Sequence, residues 1–282
     1  MQRSRLTTWG DGVTGDESEA LKADQGYSEQ QGERMPLTYQ SRRYLDETGV
    51  VAPDGWPKAS FRGASTMSIT VHQVLNLTEL ELEHATSIHV RAYAMKDPAI
   101  KMMLGGNWSL AADLGRAMIR AVLLAGEVYA VKNEENEIVS FGLWTRPGAT
   151  TFSTEEQKAL GFNAFFEKLS PAAKHWWMHT YPKTIARYGD PMFTKEEVSK
   201  RWWCSNLVTD PDYQGRGYAT AIVQHGLKKA MEADGFIGLI ATSPVNLRRY
   251  LAMGLRKRGD FLVPSPAVGD PDLKVHVLSK EM

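Results

Sequence analysis

Asp210-Pro211-Asp212-Tyr213-Gln214-Gly215-Arg216-Gly217-Tyr218-Ala219 stands between an apolar, strand-like run at 202–209 and a long amphipathic stretch at 218–233. Pro211 has no N–H to give to a ladder and closes the strand. Gly215 and Gly217 let the backbone bend and approach a ligand closely. A helix starting at 218 aims its unpaired N–H groups back at the same turn. Together these features make an anion site suited to phosphate or pyrophosphate, with the N–H groups from Gln214 to Ala219 around the anion and Arg216 adding a charge-assisted contact. The spacing is not that of a Walker loop, because no G-x-x-x-x-G-K-[ST] occurs. Nor is it a dinucleotide fingerprint: Thr220 stands where the third glycine belongs, and the next strand ends at Ala241-Thr242 without an acid for a ribose.

Periodicity places further elements on both sides of the turn. Ile222, Val223, Gly226, Leu227, Ala230 and Met231 form the inner face of the helix behind it. A second apolar strand is expected at 236–242, a shorter helix at 246–253 and a last strand at 275–278. Before the turn, an alternating strand is expected at 68–74. Thr78 with Glu81 reads as a capping box for a helix reaching about 94, and another helix is expected at 109–125. A hairpin follows, with strands at 128–132 and 137–145. Between the hairpin and 202 lies a helical insert at 152–200, rich in Phe162, Phe165, Phe166, Trp176 and Trp177, with Ser170-Pro171 as cap and first residue of one helix. Strands interleaved with helices define an α/β (α+β) domain at 67–282.

Composition bounds the function. An apolar share of 43% and a charged share of 23% are those of an ordinary globular chain. The 33 Lys and Arg balance the 33 Asp and Glu, so no global field draws in nucleic acid or an anionic membrane. No apolar run reaches the roughly 20 residues needed to cross a bilayer. The single Cys204 excludes an intrachain disulfide framework and a Cys-rich zinc site, and it fits a reducing compartment, so a cytoplasmic location is expected. His175 and His179 have metal-ligand spacing on a helix but lack the H-E-x-x-H glutamate and a third ligand, so no metal is expected. Residues 1–66, with ten acidic and eight basic side chains and no sustained period, are expected to be a disordered extension, with Met67 as the functional start.

Gln214-x-x-Gly217-x-Ala219 between a strand and a helix matches the pyrophosphate loop of the GNAT acyl-CoA N-acyltransferase family, which this chain resembles. Asn246-Leu247-Arg248-Arg249-Tyr250-Leu251-Ala252-Met253-Gly254-Leu255 is similar to the family's Asn…Tyr…Leu-Gly-Phe block, with Leu255 in place of Phe. The long Phe/Trp-rich insert resembles that of a group of fungal GNAT-domain proteins. The resemblance implies the GNAT fold, a twisted mixed sheet flanked by helices whose fourth and fifth strands splay apart. Its pantetheine arm would pair with backbone of Leu207 and Thr209, on either side of Val208. The pyrophosphate would sit on Gln214, Gly215, Arg216, Gly217, Tyr218 and Ala219, and Asn246 would reach toward pantetheine or the acyl end. The implied reaction is direct attack of an amine on acetyl-CoA, with Tyr250 as general acid.

The general base that some members of the family use has no counterpart here. Some members carry a Glu near the start of the fourth strand, whereas Trp202-Trp203-Cys204-Ser205-Asn206 holds no carboxylate. Glu127 or an ordered water is the substitute. Simpler roles stand beside these: Tyr250 as a buried aromatic, Asn246 as a helix N-cap, Cys204 as a small core residue, and the insert's aromatics as a local core. The leading expectation is an acetyl-CoA-dependent N-acetyltransferase acting on a small-molecule amine, because an aromatic insert suits a closed pocket. A non-catalytic acyl-CoA-binding protein, a protein N-acetyltransferase and a Rossmann-like nucleotide binder are the alternatives. Oligomeric state is not legible.

Overall fold

The strands of the computed structural model are β1 His72–Val74, β2 Glu127–Lys132, β3 Ile138–Thr145, β4 Arg201–Thr209, β5 Phe236–Ala241, β6 Arg256–Val263 and β7 Leu273–Lys280. They form one mixed sheet in the order β1-β2-β3-β4-β5-β7-β6. The longer helices are α1 Glu79–Tyr93, α2 Pro98–Met103, α3 Ala111–Ala125, α4 Tyr218–Glu232 and α5 Pro244–Ala252. The structure describes residues 69–93 and 96–281, all within the unit Ser68–Met282. The expectations for 1–66 and for Met67 lie outside the described residues.

Local chemistry accounts for many of the boundaries. Thr78 and Glu81 close the capping box of α1: the Thr78 N–H donates to Glu81 Oε2 at 2.9 Å and the Glu81 N–H to Thr78 Oγ1 at 3.3 Å. The β2–β3 hairpin turns at Asn136, which takes φ 63°, while Asn133 Oδ1 accepts the Glu137 N–H at 2.8 Å. Two boundaries differ from expectation. β1 keeps only the last three residues of the expected first strand, because pairing with β2 begins at His72↔Ala130. β6 is an unanticipated strand, charged along Arg256-Lys257-Arg258 and paired only with β7, at the sheet's edge. Charge on an edge strand opposes further pairing and hides the strand from an apolar-pattern reading.

The centre of the sheet opens because β4 bends. β4 and β5 are parallel and pair only at Arg201↔Phe236, Trp202↔Ile237 and Trp203↔Gly238. On its other side β4 pairs with β3 along its length, but Leu143 faces Asn206 while Trp144 faces Cys204. Ser205 is therefore the extra residue of a β-bulge, a device that bends a strand and raises its twist. The bulge follows immediately after the last β5 pair. It also exchanges faces. Burial alternates strictly along β4, yet Trp202 and Cys204 join the core beneath α4 whereas Val208 joins the core beneath α1 and α3.

Two layers cover the sheet. On one face α1 and α3 pack over β2, β3 and the end of β4, with Ile88, Leu114, Phe141 and Leu143 fully buried. The helical insert continues this layer: Phe162 and Phe165 join that core, and Trp176 joins Phe193, Phe236 and Phe261 over β5, β6 and β7. Gln157 pins the insert by donating to the Ala121 carbonyl at 3.0 Å. The other face is covered by α4, where Trp144, with 0% exposure, is the largest side chain.

Trp144 fixes how closely α4 approaches the sheet. A Cβ at Gly226 of α4 would lie 2.6 Å from the Trp144 ring, and one at Gly142 of β3 would lie 2.8 Å from its Nε1. Alanine at 226 would improve helix propensity by about 0.8–1 kcal/mol. Overpacking a closed site costs about 1–3 kcal/mol. Gly226→Ala is therefore expected to destabilise the fold by about 1 kcal/mol, seen as a lower urea midpoint at unchanged slope. A raised midpoint would mean that the ring yields freely.

Candidate active site

The turn after β4 folds into an open anion cradle. Asp210 caps the short helix Pro211–Tyr213 by accepting the Asp212 N–H at 3.0 Å. Gly215 and Gly217 take φ 79° and 83°, which L side chains rarely adopt. Gly217 is the N-cap residue of α4 and gives it no side-chain cap. The Ala221 N–H makes the first intrahelical bond, to the Gly217 carbonyl at 3.0 Å, so the N–H groups of Tyr218, Ala219 and Thr220 face outward without a cap. A Cβ at Gly215 would meet nothing within 4 Å, and one at Gly217 only Ile69 Cδ1 at 3.4 Å.

The same turn carries two carboxylates that an incoming anion must tolerate. Arg91, from the last turn of α1, spans both, at 3.0 Å from Asp210 Oδ2 and 2.6 Å from Asp212 Oδ2. The Asp210 side chain is only 6% exposed, so its charge is the one that most needs a partner. Arg216 is folded back, its guanidinium 4.6 Å from the centre of the Tyr213 ring and donating to the Asp212 carbonyl at 3.2 Å. Gln214 Nε2 donates to the Thr209 carbonyl at 3.3 Å, linking the loop to the end of β4.

Beyond Trp203 one edge of β4 has no strand beside it. The Val208 carbonyl accepts from Ser140 Oγ at 2.9 Å and the Asp210 N–H donates to Val139 at 2.9 Å, so both turn toward β3. Backbone groups alternate along a strand, so Leu207 and Thr209 turn theirs to the open edge. Val208 is correspondingly removed from the edge: its carbonyl faces β3 and its side chain is buried.

Where β4 leaves β5, a polar group assembles from four elements. Tyr93 Oη, at the end of α1, donates to Asn206 Oδ1 at 3.0 Å, and Cys204 Sγ donates to the Asn206 carbonyl at 3.4 Å. Asp97 and Cys204 each interact electrostatically with both Tyr93 and Tyr250 of α5, and the two phenols with each other. Burial, then the Cys204 thiol and the Asp97 carboxylate, push the Tyr250 hydroxyl well above the usual phenol range, with Arg249 opposing. Burial pushes Cys204 up to about 12, so it is a buried thiol and not a nucleophile at neutral pH. Burial raises the Asp97 carboxyl, opposed by the Ile100 and Ala99 N–H groups that it accepts.

Other expected residues fall elsewhere. Glu127 lies on β2, separated from β4 by β3 and so about 10 Å away across the sheet. It is held by the Tyr129 hydroxyl and by Arg146 at 3.3 Å, and it does not come together with Tyr250. Asn246 is not the cap of α5. Ser243 Oγ accepts the Asn246 N–H at 3.2 Å and Pro244 is the first helical residue, so the helix starts two residues earlier than expected. The insert's aromatics are core: Trp176 and Trp177 satisfy their ring N–H groups on the carbonyls of Pro264 and Met103, both at 2.8 Å. His175 and His179 lie ring against ring, and among the described residues no three His, Cys, Asp or Glu side chains form a metal-ligand group. No described helix is long and apolar enough to cross a membrane.

Residues 125–254, which span the hairpin, β4, the turn, α4, β5 and α5, match the model of the acetyltransferase (GNAT) family. The chain therefore carries a domain of the GNAT acetyltransferase family. An agmatine N-acetyltransferase structure covers 76% of this chain and 100% of its own, at 12% identity and a TM-score of 0.50. A histone acetyltransferase HPA2-related protein from Corynebacterium glutamicum covers 74% and 96%, at 23% identity and a TM-score of 0.48. Arylalkylamine N-acetyltransferase 2 from Aedes aegypti covers 74% and 98%, at 12% identity and a TM-score of 0.48. No curated protein matches in sequence.

The cap assignment on α5 is open to a direct comparison. Ser243→Ala should cost about 1 kcal/mol, the usual loss of an N-cap side chain. Asn246→Ala should cost much less, because only its backbone N–H enters the cap. Equal losses in chemical denaturation would contradict the assignment.

Proposed function

We propose that this protein is an acetyl-CoA-dependent N-acetyltransferase acting on a small-molecule amine. The observation that carries the reading is the meeting of an uncapped helix N-terminus with the unpaired edge of β4. Backbone N–H groups at the start of α4 suit a pyrophosphate, and the edge at Leu207 and Thr209 suits an amide-bearing arm. In this reading Gln214, Gly215, Arg216, Gly217, Tyr218 and Ala219 hold the pyrophosphate, with Arg216 swinging off Tyr213, and Asn246 lies along the arm. Acetyl-CoA supplies the acetyl group as an activated thioester.

Tyr250 is the proton donor to the leaving sulfur. Its raised affinity for its proton keeps it protonated at neutral pH, yet it also makes complete transfer to a thiolate uphill. Even an unshifted phenol near 10 facing a thiol near 8.5 opposes transfer by about 2 kcal/mol, and the raised Tyr250 opposes it by more. Tyr250 therefore serves best as a relay, giving its proton to sulfur as it regains one from the attacking nitrogen. The acceptors named for the agmatine and arylalkylamine enzymes set the class to try first.

Two variants test the reading. Gly217→Glu places a negative side chain in the cradle at a residue of φ 83°, so acetyl-CoA should no longer raise the melting temperature. An unchanged shift in a folded variant would sink the loop assignment. Tyr250→Phe should lower kcat about 100-fold at unchanged acetyl-CoA affinity. Unchanged turnover would leave Tyr250 with a packing role, and thioester consumption with no amine would point to a binding protein without turnover.

A further inference from the structure

Asp97 stands apart from the other carboxylates. Among the described residues, buried and half-buried acids are paired with a basic side chain: Asp210 with Arg91, Asp113 with Lys168, Glu127 with Arg146, Glu197 with Arg258, and Asp270 with Lys101. Glu81 is held within its capping box by Thr78. Asp97, half-buried, forms no salt bridge with any described Lys, Arg or His. Its Oδ1 accepts the N–H groups of Ala99 at 2.9 Å and Ile100 at 3.0 Å, which fixes the carboxylate at the head of α2. No hydrogen bond from the described residues engages its other oxygen. The Lys96 N–H donates to the Tyr93 carbonyl at 2.8 Å, and this turn brings Asp97 back toward the end of α1. There its charge acts on Tyr93 of α1, whose hydroxyl is held by Asn206 of β4, and on Tyr250 of α5.

A half-buried carboxylate that is fixed through one oxygen and has the other free of hydrogen bonds is suited to receive a cationic ligand. The reaction proposed above has such a ligand, since an aliphatic amine enters as an ammonium ion and must lose a proton before it can attack. We infer that the free oxygen of Asp97 binds the acceptor's ammonium group and takes its proton, an inference that rests on the proposed acetyl transfer.

The protons balance. Asp97 removes one from R–NH3+, leaving the lone pair that attacks the thioester carbonyl carbon. The C–N bond forms and the C–S bond breaks with its electron pair on sulfur. The second proton leaves the nitrogen through Tyr250 and ends on the thiol. Asp97 releases its proton to solvent, so amide, thiol and one proton are the products. Raising of the Asp97 carboxyl by burial brings its affinity for a proton closer to that of the amine.

Asp97→Asn is the informative variant, because asparagine caps a helix as well as aspartate does and keeps the same N–H contacts. The probes are tyramine, tryptamine, agmatine and spermidine, each with acetyl-CoA. The variant should retain the melting temperature and the CoA affinity of the parent. Its kcat/KM should fall about 100-fold, with loss of the acidic limb of the pH profile, which in the parent rises as Asp97 ionises. An unchanged kcat/KM and pH profile would overturn the inference and leave Asp97 a helix cap only. Calorimetry of the same amines against CoA-saturated protein reads the binding role independently of turnover. Binding to the parent and not to the variant supports it. Equal binding to both, or no binding to the parent while CoA binds, overturns it without touching the cofactor reading. Failure of CoA itself to bind overturns both.

Discussion

One extra residue in β4 governs the centre of this fold. Ser205 is accommodated against β3 by a bulge, and the strand bends immediately after its last pair with β5. Without that bend the parallel pair would continue and every backbone group of β4 would be spent on the ladder. With it, Leu207 and Thr209 keep an edge without a strand partner in the middle of the sheet, where only the Gln214 side chain reaches the Thr209 carbonyl. The bulge also turns Asn206 toward Tyr93 and Met118 on the α1 and α3 side, while Cys204, two residues earlier, stays in the core under α4. Side chains from both layers therefore converge at one point.

Charge is arranged around this opening with some economy. The cradle at the start of α4 offers backbone dipoles, yet its own loop contributes two carboxylates, and Arg91 neutralises them without belonging to the loop. On the far side of the opening Asp97 is left uncompensated, beside phenols that burial keeps neutral. One side thus suits an anion and the other a cation, which is the charge arrangement that the proposed transfer from an acyl-CoA to an amine would need. The insert stabilises this frame from outside, because its tryptophans and Gln157 spend their polar atoms on backbone carbonyls of α2, α3 and the β6–β7 connection.

The loop was legible because its signals are local. Pro211, Gly215 and Gly217 each impose a backbone state, and the amphipathic period of α4 follows at once. Ser243-Pro244 is equally local, with the same cap-and-proline pattern that marks Ser170-Pro171, but Asn246 is itself a good N-cap residue and competes with it in the sequence. The bulge was not legible, since β4 alternates in burial as if it were regular, and only its pairing with β3 reveals that the buried side changes face. Asp97 was hidden for a related reason. Asp97-Pro98 reads as one more cap, and its nearness to Tyr250, more than 150 positions away, exists only in the folded chain. Glu127 was the reverse case, a carboxylate at a promising place in the sequence that β3 separates from the reacting centre.

Arg91 and Tyr93 lie on the same last turn of α1, two residues apart and so pointing in different directions. One grips the loop acids and the other grips Asn206. A ligand that drew Asp210 or Asp212 into a new position would pull on the same turn that carries the acceptor side. Linkage then works in both directions, because occupancy of either half changes the affinity of the other by the same factor. In the proposed site, the two ligands would be linked through the end of a single helix.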